Sequence, residues 1–243
     1  MKMLAFAKRN FKEIIRDPLN LTFLFGFPVI LLLLLSAIQA NIPVSMFEIE
    51  HLSPGITVFG LSFMTLFSAT LIAKDRQRSF MHRLYTTPLN PIDFILGYTL
   101  PLIPIALAEC VATYIFAVIL ELPININILI AILLIIPIAL LYIGLGLLCG
   151  SIFNDKQVGG ICGALLTNLS AWLSGIWFDI DLLGGTFKKA AYMLPFVHSV
   201  EMERAAISGN YAEIIPHFLW VGGYAIVIII IAIFVFLRQM KNQ

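Results

Sequence analysis

The chain has 243 residues, of which 60% fall in the apolar set AVILMFWYC and only 12% are charged, with a mean hydropathy of +0.97. Soluble domains run at about 45–50% apolar and about 25% charged, so a water-soluble fold could not hide this much apolar surface. A soluble enzyme, a disordered chain and a disulfide scaffold are excluded, and a polytopic membrane protein remains. Fifteen Lys and Arg against fourteen Asp and Glu leave a net charge of +1, which carries no nucleic-acid signal. Cys110, Cys149 and Cys162 lie inside apolar runs without a CxxC spacing and read as small apolar fillers.

At the N-terminus, Leu4, Ala7, Phe11, Ile14 and Ile15 share one helical face, and Lys8, Arg9, Lys12 and Arg16 occupy the rest. That pattern predicts an amphipathic interfacial helix within residues 1–18, ended by Asp17-Pro18. The stretch is too long for a secretory leader, and Ser36-Ala37-Ile38-Gln39-Ala40 is a poor cleavage site.

A bilayer crossing takes about 20 apolar residues. Six runs qualify: 21–40, 56–73, 92–120 (interrupted by Pro101 and Pro104), 128–153 (with Pro137 inside), the Gly-rich 158–177, and 218–237. None alternates as a barrel strand would, so the expected fold class is an all-α membrane protein with six transmembrane helices. Placing both termini in the cytoplasm puts twelve basic residues inside and three outside, the asymmetry that the positive-inside rule asks for. Trp177, Phe178, Trp220 and Tyr224 then form an aromatic belt at the outer edge.

Between spans two and three, over 74–89, Phe80, Met81, Leu84 and Tyr85 make an apolar stripe ringed by Arg76, Arg78, His82 and Arg83. Such a short amphipathic helix can lie on lipid or serve as a knob for a soluble partner, and composition alone leaves both open. Pro88 stops it. Asn90 as N-cap, Pro91 and Asp93 then open the next helix, with Asp93 as a partner of its dipole. Within the spans, Glu109 is the lone ionisable group at mid-depth. It is either a polar point on a substrate path or a structural tie, and the second is favoured without another ionisable residue at that depth. Thr167, Asn168 and Ser170 read as interhelical glue. Gly146-x-x-x-Gly150 and Gly159-x-x-x-Gly163 allow close helix approach, within one chain or across a dimer. The outer segment 178–217 is divided at Gly184-Gly185 and reads as half-inserted helices. One of them follows Pro195, is capped near Ser199, runs to Gly209, and turns Glu201, Glu203 and Arg204 to water.

The order of basic amphipathic helix, span, acidic outer loop and span, followed by Asp75-Arg76, Ser79-Phe80, Arg83-Leu84 and Thr87-Pro88-Leu89, resembles the ABC transporter type 2 permease family. Leu194-Pro195-Phe196 and Arg204-Ala205 before the last span add to the resemblance, which covers essentially the whole chain. Ser79 stands where that family often has Gly, and Leu194 where it often has Asn. The resemblance implies a coupling helix at 74–89 seated on a separate ATPase subunit through Asp75, Arg76, Arg78, Phe80, Arg83 and Leu84. It implies a smaller contact from Asn154, Asp155 and Lys156, and a lid over the outer exit in the outer segment 178–217, which carries Pro195 and Arg204. Two ATPase copies and a second permease subunit, identical or different, would complete the complex, with spans one and five at the permease interface.

No GxxxxGK[ST] motif occurs, so ATP and Mg are expected on the partner ATPase, with no cofactor or metal on this chain. The functional expectation is a non-enzymatic permease subunit of an ATP-driven exporter in the cytoplasmic membrane. Its expected cargo is amphipathic or hydrophobic: a drug, an antimicrobial peptide or a lipid-like molecule. The alternative is an ion-coupled secondary transporter using Glu109, which should show paired ionisable residues near the midplane and an internal repeat. An intramembrane enzyme would need clustered His, Glu or Asp on facing spans.

Overall fold

The structure, a computed structural model, describes residues 2–42, 47–77 and 91–241. All regular elements among them are helical. In chain order they are α1 (Lys2–Ile15), α2 (Pro18–Gln39), α3 (Ile49–Gln77), α4 (Pro91–Thr99) and α5 (Leu102–Ile119). Then come α6 (Ile126–Ile152), α7 (three consecutive pieces, Asp155–Val158, Gly159–Leu166 and Thr167–Leu173), and α8 (Ile180–Leu183). The series closes with α9 (Gly185–Met193), α10 (Pro195–Ser208) and α11 (Tyr211–Lys241).

Among the described residues, five helical stretches are long and apolar enough to cross a membrane: Pro18–Gln39, Ile49–Gln77, Ile92–Ile119, Ile126–Ile152 and Tyr211–Gln239. The third joins α4 and α5 across the break at Pro101, where a proline removes a helical hydrogen bond. The run read as a fifth span, 158–177, is helical only through Leu173 and is not among the five. The helix that carries it, α7, begins with the polar Asp155-Lys156-Gln157, and its middle, Gly159–Leu166, is π-helical.

α3 is the axis of the bundle. Nearly all of it is buried, because α2, α5, α6, α7 and α10 all pack around it. A helix that is apolar on every side needs such a surround. α6 is the second hub, between α3 and α11. Gly146 and Gly150 make the α3–α6 approach possible: a Cβ on Gly146 would stand 2.5 Å from Thr65 O, and one on Gly150 2.6 Å from Ala69 O. This small-residue pair is therefore spent inside the chain. By contrast, α2 and α11 keep broad apolar faces exposed, including Ile30, Leu34, Ile230 and Phe234, as lipid contact requires.

Two sequence expectations change. α1 buries Phe6, Ala7, Asn10 and Ile14, whereas Leu4 and Ile15 stay exposed. The reason is that α1 docks on α4, which selects a face rotated from the one that apolarity alone picks out. α10 is not a surface helix. It is buried almost throughout between α3, α6 and α11. Its N-cap is Leu194, and Ser199 lies inside it with its hydroxyl donated to Pro195 O at 2.9 Å. Gly209 ends it with φ of +77°, the left-handed cap that favours glycine.

Candidate functional site

At the end of the bundle where α3 finishes, three segments of the chain converge. Asp75, in the last turn of α3, is fully buried. Arg9 of α1 holds it with a two-pronged contact, Nη1 to Oδ2 at 2.5 Å and Nη2 to Oδ1 at 2.8 Å. The Tyr98 hydroxyl of α4 donates to the same Oδ2 at 3.0 Å. A guanidinium fork matched to a carboxylate gives both strength and orientation, which a lysine would not. Asn10 extends the junction by donating to Gly97 O at 2.9 Å, and Phe6 sets its ring edge against Tyr98 at 5.0 Å. Gly97 leaves the space for this, since a Cβ there would lie 2.2 Å from Phe6 Cδ1.

Arg76, the next residue, reaches the other way and donates to Gly150 O at 2.8 Å, near the end of α6. Just beyond, Asn154 and Gln157 form a reciprocal capping box that opens α7. Asn154 and Lys156 are exposed there, and Asp155 is half-buried. α1, α3, α4, α6 and the α6–α7 link are thus fastened into one platform. Residues 74–77 belong to α3 itself. The remaining residues expected at the coupling helix, Arg78, Phe80, Arg83 and Leu84, lie outside the described residues, as does the Asn90 cap.

At the opposite end, Arg204 of α10 ties three elements. It donates to Glu201 Oε1 at 2.9 Å, Gly175 O at 3.0 Å and His51 O at 3.3 Å. Its side chain is about one-tenth exposed, which corrects the expectation that it faces water. Glu203, also expected in water, is fully buried and accepts from Tyr114 of α5 at 2.8 Å. Glu109, one turn earlier on α5, is fully buried too, accepts from Thr113 at 3.2 Å, and lies within electrostatic reach of Glu203. The premise that Glu109 has no ionisable neighbour therefore fails. The neighbour arrives from a segment 94 positions later, which no local pattern signals. Beside Pro195, His198 and His217 share a 2.8 Å contact between their Nδ1 atoms, and Trp220 stacks on His198 at 5.0 Å. This pairing was also not visible in the sequence. Asn168 binds only its own turn, donating to Ala164 O at 2.8 Å, and faces outward. Gly159 and Gly160 likewise face open space.

The residues in this architecture match one family over residues 1–207, ABC-2 type transporter. The chain belongs to the ABC-2 type transporter family. It is accordingly a membrane permease, and no catalytic role is called for among the residues described above. The chain is also similar to the capsule polysaccharide export inner-membrane protein CtrC of Neisseria meningitidis serogroup B, at 40% identity over 73 residues. That match spans 30% of this chain and 27% of the relative's length.

Proposed function

We propose that the protein is the membrane subunit of an ATP-driven exporter, working with two copies of a separate ABC ATPase and a second permease subunit. The observation that carries this reading is family membership across 1–207, in a chain that lacks a phosphate-binding loop of its own. In this reading six helices span the cytoplasmic membrane, with α7 as the sixth and both termini inside. The Arg9–Asp75 platform then faces the cytoplasm, and 78–89 emerges from it as the coupling helix, with Arg78, Phe80, Arg83 and Leu84 on the ATPase. Asn154, Asp155 and Lys156 make the secondary contact.

A coupling helix transmits force only if its base is rigid. The clamp on Asp75 and the Arg76 bond to α6 supply that rigidity, so ATPase closure tilts α1, α3 and α6 together. The outward-facing strip of α7, with Gly159, Gly160 and Asn168, is the surface for the second permease subunit. The cargo we propose is amphipathic or hydrophobic, in keeping with the apolar exposed faces. A polysaccharide cargo is the second reading, favoured by the similarity to CtrC.

The test is co-expression with a candidate ABC ATPase, sought among the neighbouring genes, followed by purification in nanodiscs. F80E/L84E should abolish stimulation of ATP hydrolysis while leaving membrane insertion intact. Normal stimulation in that variant, or protease mapping that puts Arg76 on the outer face, would overturn the reading.

A further inference from the structure

Glu109 and Glu203 are an anomaly for a membrane interior. Both side chains are fully buried. Each has one oxygen satisfied by a hydroxyl, Thr113 for Glu109 and Tyr114 for Glu203. Each has a second oxygen, Oε2 of Glu109 and Oε1 of Glu203, with no protein partner. Two carboxylates in mutual electrostatic reach cannot both stay ionised in a low-dielectric interior without a compensating cation.

Among the described residues, the surroundings bring no such cation. On α5 itself, the titratable neighbours are Cys110 and Tyr114, neither of them a base at neutral pH. α2 has no titratable residue, and α6 has only Tyr142 and Cys149. α3 faces the pair with Gly60 and Thr57, and its charged residues and His51 lie near its two ends. On α10, Arg204 is committed to Glu201 and two carbonyls, and His198 to His217 and Tyr192 O. α11, which packs on α10, carries Glu213 and His217 in its first two turns and Arg238 near its other end.

Nor does the seat suit a hydrated metal ion. The Glu109 carboxyl presses on the α3 backbone so closely that a Cβ on Gly60 would stand 2.1 Å from its Oε1 and 2.9 Å from Pro28 Cγ. The ligand that fits a carboxyl so enclosed is a proton.

We infer that Glu109 and Glu203 are a proton-binding pair, both neutral at physiological pH, whose protons are a condition for packing the two carboxyls inside the bundle. Tyr114 of α5 donates to Glu203 of α10, so the pair lies where a buried side-chain bond joins these two helices. Ionising both carboxyls would set two like charges in the low-dielectric interior with a single hydroxyl donor for each, which weakens the packing around them. This inference stands apart from the export reading, since it concerns a contact within one chain.

The experiment uses the full-length protein in lipid nanodiscs. Infrared spectra across a pH titration should show protonated-acid C=O bands at neutral pH, one missing in E109Q and one in E203Q. In parallel, thermal melting should show wild type losing the pair's contribution to stability as pH rises above the free glutamate value of about 4.3 and on through neutral pH. The sign follows because above the unfolded value the fold holds protons that the unfolded chain has released, so this stability falls with pH until the folded groups ionise as well. E109Q/E203Q should abolish that loss and melt at or above the wild-type temperature at neutral pH. Wild-type spectra without protonated-acid bands at neutral pH would overturn the inference, whether or not the variants fold. Stabilisation by Na+ or K+ that vanishes in E109Q/E203Q would overturn it as well, by showing a metal ion in the proton's place.

Discussion

The guanidinium of Arg9 grips both oxygens of Asp75 across 66 positions of sequence, and this one contact joins the N-terminal helix to the end of the bundle's central helix. Asp75 is fully buried while Arg9 is about one-third exposed. The pair is therefore asymmetric: removing Arg9 strands a buried charge, whereas removing both charges strands only the Tyr98 hydroxyl. R9A should destabilise the protein by roughly 3 kcal/mol, with part of that recovered by Tyr98 and by water reaching the exposed side. R9M/D75L should recover most of the loss in thermal melts. If the clamp is the base of the coupling helix, R9M/D75L should still lose ATPase stimulation, which separates its mechanical role from its stabilising one.

The glycines sort by what surrounds them. A Cβ on Gly150 meets the Ala69 backbone oxygen at 2.6 Å and Ala69 Cα at 2.9 Å, and a helix backbone cannot step aside. G150A should cost about 1–3 kcal/mol through forced separation of α3 and α6, more than the helix propensity it gains. G160A meets nothing within 4 Å and should leave the stability of the monomer unchanged or slightly raised. Melting curves of the two variants in monomeric detergent preparations check the contrast. Replacing Gly160 by Leu should weaken permease–permease cross-linking if α7 lies at the subunit seam.

Much of this fold was legible in the sequence because bilayer thickness and backbone satisfaction leave few choices. The apolar runs, the Pro101 break, the Asp17-Pro18 turn and the division at Gly184-Gly185 follow from local chemistry. The errors came where tertiary contact overrode local pattern. The buried face of α1 is set by its fit on Gly97 and Tyr98, not by its own apolar maximum. α10 carries the polar residues of a surface helix, yet Glu203 and Arg204 are buried because Tyr114, Gly175 and His51 supply their partners. Such partners are distant in sequence, and single-chain periodicity contains no trace of them.

Arg204 shows how much one such partner set holds. Its fork spans a carboxylate and two backbone carbonyls, on α10, in the link after α7 and near the start of α3. A lysine ammonium cannot reach all three in that geometry. R204K should therefore lose roughly 2 kcal/mol, and R204A more, since the carbonyls of Gly175 and His51 are then left short of donors. Limited proteolysis in the 174–185 link should accelerate in both variants, with R204A the faster.

The His198–His217 pair gives the opposite end of the molecule an acid sensitivity. His198 Nε2 lies 3.0 Å from Tyr192 O, an acceptor only, so that nitrogen carries a proton. Nδ1 of neutral His198 is then an acceptor, and Nδ1 of His217 is the donor across 2.8 Å. Burial lowers the His198 imidazole below its ordinary value, although the Tyr192 carbonyl and Glu201 pull it upward. A histidine held neutral in the fold contributes stability above its unfolded value of about 6.5, and that stability is lost as pH falls further. A proton on each ring sets two N–H groups against one another. Thermal stability should therefore drop between about pH 6.5 and about pH 5, and H217F, which removes the second imidazole while keeping an aromatic ring, should flatten the acid limb. An unchanged acid limb in H217F would show that the pair does not govern it.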